Sequence, residues 1–207
     1  MCSSDLSFQR ELVPFKALDG AIDALSRYLL SLSDAQVSGL LPRRAALLGQ
    51  LFPVLARVPV IANAPHAVGM QGDLRARSVD ALRELLARIG DRVPIVVLLD
   101  DVQWGDVDSA RLLADLLAPP ESVPLFVLMT RRPDDPDADT FMAALGERIE
   151  ALGGATRIET VSVEPMCEED AQALAASVSE GALGEAGVLA VVRDARGQPF
   201  LLCELAH

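Results

Sequence analysis

The stretch IVVLLDDVQWGD, residues 95–106, ends a greasy run in two carboxylates, Asp100 and Asp101. Such a pair at a strand tip suits a site that holds magnesium and aims a water. Mg²⁺ is a hard ion that keeps several waters and takes one or two carboxylates together with phosphate oxygens. Asp100 could hold one of those waters, and Asp101 could polarise or orient an attacking one. Adjacent residues on a strand point to opposite faces, so their roles should differ. A second apolar run, VPLFVLMT, 123–130, is followed by Arg131 and Arg132. An arginine there could touch a γ-phosphate and stabilise the charge that develops during transfer. The same residues also have plainer readings. Aspartates commonly open turns, one of the two arginines is a solvated loop charge, and Trp104 packs at the base of the next helix rather than stacking on a base.

A phosphate site of this kind also needs a grip for the phosphates, G-x-x-x-x-G-K-[ST]. Lys16 is the only lysine among 18 basic residues, and it sits in VPFKALDG without such glycines before it. The sequence therefore carries no Walker A motif. The abundance of arginine over lysine, with much alanine, matches the coding bias of a GC-rich bacterial genome. The net charge of -12 leaves no basic patch of size, which argues against direct binding to nucleic acid. Cys2, Cys167 and Cys203 are far apart and His66 and His207 isolated, so a zinc site or a Ser/His/Asp triad has little to draw on. No apolar run approaches the ~20 residues of a membrane span, and no basic leader precedes an apolar stretch. The expectation is a cytoplasmic protein without a membrane partner.

Several elements must position these residues. Leu18, Ile22, Leu25, Leu29 and Leu32 are spaced as one helical face over 17–32. A second helix is expected over 44–51, and 53–73, with three prolines and no clean period, reads as a long connection. Helical spacing returns over 74–89, closed by Gly90. Ile95 to Leu99 is a branched run without polar alternation, which suits a strand buried on both faces. A helix over 107–117 follows, capped by Asp106 or Asp108 and ended by Pro119-Pro120. After the second buried strand, RRPDDPDAD reads as a polar loop, 139–152 as a helix ended by Gly153-Gly154, and RIETVSV, 157–163, as a third strand. Helices are expected over 167–178, with an acidic first turn, near 185–194, and from Phe200 onward. Strands alternating with helices imply a parallel sheet with crossover helices, an α/β class. Ligands bind beyond the carboxyl ends of such strands, where Asp100-Asp101 and Thr130-Arg131-Arg132 lie.

LLDDVQWGDVDSARLLADLL followed by PLFVLMTRRPDD resembles the Walker B and sensor 1 region of bacterial signalling ATPases of the STAND class, within the AAA-type P-loop superfamily. VEPMCEEDAQALA resembles their passage into a helical lid, and ARGQPFLLCELA resembles their G-N-P-F-F-L-x-E-L motif, with Gln198 where asparagine is usual. The resemblance implies a partial P-loop NTPase core, 7–163, followed by the start of a helical lid, 164–207. It also implies ATP and Mg²⁺ as ligands in the intact parent domain. Asp100 would be the metal carboxylate, Asp101 the hydrolytic one, Arg132 the sensor in preference to Arg131, and Thr130 and Pro199 cofactor-binding, Pro199 near the adenine. ELVPFKALDGAIDALSRYL resembles a stretch just after the P-loop and second strand, most associated with large serine/threonine kinases. Fused partners would then be a kinase domain, helical repeats or a DNA-binding regulator.

By this resemblance the phosphate loop lies upstream of residue 7. Residues 1–6, MCSSDL, match the translation of a common sequencing adapter (TGC TCT TCC GAT CT behind a GTG start), and are read as an artefact joined to a truncated gene; an ordinary polar N-terminus is the other reading. The resemblance further places the phosphate-loop strand between the Walker B and sensor strands, so its removal should leave a gap, open strand edges and a tendency to aggregate. The function expected is a fragment of a nucleotide switch, inactive alone. The alternatives are a non-catalytic scaffold with a degenerate ATPase fold, or a DNA-associated ATPase of the origin-recognition type.

Overall fold

The computed structural model describes residues 15–65, 73–118, 123–133, 135–154 and 156–207. The expectations for residues 1–6, His66, Pro119-Pro120 and Asp134 lie outside the described residues, as does Cys2. The chain divides into two compact units between Arg157 and Ile158.

In the first unit, β1 (Ile95–Leu99) and β2 (Leu125–Met129) are hydrogen-bonded neighbours, parallel and in register from Ile95↔Leu125 to Leu99↔Met129. This corrects the expected gap: two strands that exchange backbone bonds along their length have no room for a third between them. The sheet also departs from burial on both faces. Ile95, Val97, Leu125, Val127 and Met129 pack against the core and Leu99 is inside it, whereas Val96, Leu98, Phe126 and Leu128 are 50–64% exposed. The alternation that the uniform apolar sequence concealed is imposed by the helices, which cover one face only.

That cover is built from short, well-capped helices. α1 (Asp19–Leu30) buries Ile22 and Leu29. α2 (Asp34–Leu40) was not expected; Ser33 and Gln36 form a reciprocal capping box at its start. α3 (Ala46–Leu51) is followed by a 3-10 turn, Pro53–Arg57, and by α4 (Pro59–Ala62), each with proline in its first turn. Residues 53–65 are therefore not a loose connection; they bury Leu55, Val58 and Ile61. α5 (Leu74–Gly90) begins at an Asp73 cap, and its Arg88 reaches back to the Leu41 carbonyl at the end of α2. α6 (Val107–Leu117) carries β1 to β2 and packs along α7 (Pro136–Ala151). α7 starts three residues earlier than expected, because Asp135 caps it and Pro136 supplies a preset first turn rather than a break. Arg148 of α7 pairs with Asp115 of α6 at 2.7 Å, and Arg83 of α5 donates to the Asp115 carbonyl.

The third strand is absent from the described residues. Residues 156–167 form no helix and no strand, with Val161 84% and Val163 95% exposed. Alternation in RIETVSV describes a strand only where a neighbouring strand accepts its backbone, and none does so here. In the second unit, α8 (Glu168–Val178), α9 (Glu185–Ala195) and α10 (Pro199–Ala206) enclose a small core of Ala171, Ala175, Val192, Ala195 and Leu202. Gly197, at φ +74°, turns α9 into α10 and accepts the Met166 N–H; a Cβ there would lie 2.6 Å from the Met166 carbonyl oxygen. Among the described residues no helix is long and apolar enough to cross a membrane.

Candidate functional site

β1 ends at Leu99, so Asp100 and Asp101 have already left the strand. Asp101 is left-handed (φ 54°, ψ 56°), a conformation that aspartate tolerates better than most residues. Strand alternation therefore does not set the two side chains apart; the turn does. Asp100 is exposed and Asp101 half-buried.

Thr130, just after β2, joins the Asp100 carboxylate to the Asp101 backbone. Its hydroxyl donates to Asp100 Oδ1 and accepts the Asp101 N–H at 2.8 Å. Backbone bonds from Thr130 N to the Leu99 carbonyl and from Val102 N to the Thr130 carbonyl, both 3.0 Å, extend the ladder past the strand ends. Asp100, Asp101 and Thr130 are thus brought together. Arg131 is paired with Asp139 at 3.1 Å, while the Arg132 guanidinium has no carboxylate partner among the described residues. Pro199 opens α10 in the second unit and is exposed.

Two residues carry more of this site than their sequence suggests. Gln103 lies on a 3-10 turn, Val102–Trp104, and is 2% exposed. Its Nε2 donates to Asp101 Oδ1 at 2.8 Å and its Oε1 accepts the Arg132 N–H at 3.4 Å. A polar residue in a short turn gives no sequence signal of burial. Asp106 was expected only as one of two possible caps. It caps α6 through Ser109 N at 2.8 Å, accepts the Ser109 hydroxyl at 2.6 Å, and also accepts the Lys16 N–H at 2.7 Å and the Phe15 N–H at 3.3 Å. Burial acts to raise its pKa, but these bonds from Ser109, Phe15 and Lys16 outweigh it and hold the carboxyl below its ordinary value. Burial and the nearby Asp106 charge push Asp19 the other way, upward. Phe15 is left-handed at φ 67°, buried against Phe52, and lies under the Arg75 guanidinium at 5.3 Å. Gly105, between Trp104 and Asp106, faces the Phe141 ring; a Cβ there would come within 2.7 Å of it.

The donor chemistry suits a hard cation: one Asp100 oxygen is tied to Thr130, and exposed carboxylate oxygens favour a hydrated Mg²⁺. The phosphate side has no counterpart, since no glycine-rich lysine loop occurs in the sequence. No cluster of three or more His, Cys, Asp or Glu residues able to hold a metal occurs among the described residues. Asp100, with Asp101 beside it, is the residue that could hold such an ion.

Residues 5–128 match the AAA ATPase domain. The match spans more than half of the chain, and the chain belongs to the AAA ATPase domain family. Its two parallel strands and surrounding helices are a partial α/β, P-loop-like fold of that family, whose members generally bind ATP and Mg²⁺. The matched segment includes Asp100 and Asp101 and ends before Thr130, Arg132 and Pro199. No curated protein and no solved structure matched the chain.

Proposed function

We propose that this chain is the carboxylate-and-sensor half of an ATP-hydrolysing signalling domain of the STAND type, a nucleotide switch within a large bacterial regulator. The observation that carries this reading is the joining of Asp100, Thr130 and Asp101 at the carboxyl ends of two directly paired parallel strands. Asp100 would hold hydrated Mg²⁺, which supplies charge neutralisation at phosphate oxygens. Asp101 would orient a water and accept its proton at a carboxylate oxygen. Arg132, with no carboxylate partner among the described residues, would stabilise developing negative charge, a role the clamped Arg131 is poorly placed to take. Thr130 holds the Asp100 carboxylate and the Asp101 backbone in place, and Pro199 would lie at the base of the nucleotide. The core over 7–163 and the lid beginning at 164 would repack between nucleotide states and so bias an attached kinase, helical-repeat or DNA-binding domain. The regulator would act in the cytoplasm.

The test is ATP turnover in the parent reading frame, compared with this chain alone. With a phosphate loop joined upstream, Asp101→Asn is expected to lower kcat by about 10²–10⁴-fold while ATP still binds. Asp100→Asn should weaken Mg²⁺ by roughly 10–100-fold. This chain alone should not turn over ATP. Turnover by this chain alone, lost in Asp101→Asn, would refute the division of the site, and full turnover in both variants would refute the assignments.

A further inference from the structure

Gln103 is buried, yet both polar ends of its side chain are occupied, and by different kinds of partner. A carboxylate can only accept and a backbone N–H can only donate, so the amide orientation is fixed: Nε2 toward Asp101 and Oε1 toward Arg132. The neighbouring backbone bonds join Leu99 and Val102 to Thr130 and stop there. Among the described residues, Gln103 is what links the Asp101 carboxylate to the backbone of Arg132.

We propose that Gln103 is a positioning residue that couples the two strand ends, so that the orientation of the Asp101 carboxylate follows the position of the turn bearing Arg132. The inference rests on the reading of Asp101 as the hydrolytic carboxylate and Arg132 as the sensor. The two joints differ in strength. The bond to Asp101 is short and charge-assisted; the one to Arg132, at 3.4 Å, is near the limit for an N–H···O bond and yields first when the turn moves. A displaced Arg132 therefore frees the amide, and the freed amide lets the carboxylate turn.

Three variants separate coupling from packing. Gln103→Met keeps the buried volume and removes both bonds. Gln103→Glu keeps an acceptor for the Arg132 N–H and removes the donor to Asp101. Asp101→Gly deletes the carboxylate without opposing the left-handed backbone. The readouts are the Arg132 backbone amide and the Gln103 side-chain amide in ¹H–¹⁵N spectra of the full chain, with a thermal melt of each variant. Asp101→Gly should shift the Arg132 amide in the parent and leave it unmoved in the Gln103→Met background. Exchange of the Arg132 amide should quicken by about tenfold in Gln103→Met and stay near the parent rate in Gln103→Glu. If Gln103→Met fails to fold, Gln103→Leu takes its place with the same expected shifts. An Arg132 amide that ignores Asp101, or that responds equally with methionine at 103, overturns the coupling. None of these readouts involves nucleotide, so a protein that shows the coupling and never binds ATP would sink the proposed function alone.

Discussion

Asp106 concentrates four hydrogen bonds on one half-exposed carboxylate, and these tie the first described turn of the chain to the start of α6. Its folded pKa lies below the ordinary 3.8. A depressed carboxylate stabilises the fold above its unfolded pKa, and that contribution disappears as pH falls through the folded value. Thermal melts from about pH 6 to about pH 3 should show stability declining below about pH 4. Asp106→Ala should lower stability by about 1 kcal/mol at neutral pH through the lost cap, and should flatten that decline. An unchanged acid limb in the variant would place the titration elsewhere. At the neighbouring residue the constraint is steric. Gly105→Ala should cost roughly 1–3 kcal/mol by driving a methyl into the Phe141 ring. Phe141→Leu in the same chain should recover part of that loss in a urea melt, which a purely backbone effect would not allow.

The elements show what a sequence states and what it leaves to packing. β1, β2 and α6 were legible because branched runs, an aspartate cap and helical spacing are local signals, and each was read within a residue or two of its place. The capping box at Ser33–Gln36 is an equally local signal, a serine followed three residues later by a glutamine. RIETVSV failed for a different reason: its alternation is genuine, but strand formation depends on a partner that the sequence of the segment does not name. The bare sheet face was hidden because an apolar run reads the same whether one face or two are covered. The site was half legible. Asp100 and Asp101 were visible from type and position, whereas the burial of Gln103 and the reach of Asp106 to residue 15 arise only once distant segments meet. Phe126→Thr with Leu128→Thr should raise the concentration at which the chain stays monodisperse in light scattering, with little change in melting temperature, since both side chains are already half-exposed or more. A large loss of stability would show that this face is covered.

At the scale of the molecule, a core built under one sheet face and a small three-helix unit follow one another along the chain. Among the described residues, the segment joining them carries the most exposed large apolar side chains, Val161 and Val163. Limited proteolysis with a glutamate-specific enzyme is therefore expected to cut first at Glu159 or Glu164, giving two fragments near 159–164 and leaving α8 to α10 intact. Protection of both bonds would mean that this stretch is paired as a strand in solution. Trp104 adds a practical consequence. It is the single tryptophan of the chain, it is 51% exposed, and it follows Gln103 directly on the turn between Asp101 and Asp106. Indole emission shifts with the water around the ring, so the protein carries its own optical reporter beside the candidate site. Any magnesium, nucleotide or neighbouring segment that settles over the carboxylates can be followed by fluorescence in the unlabelled chain, without a background from other indoles.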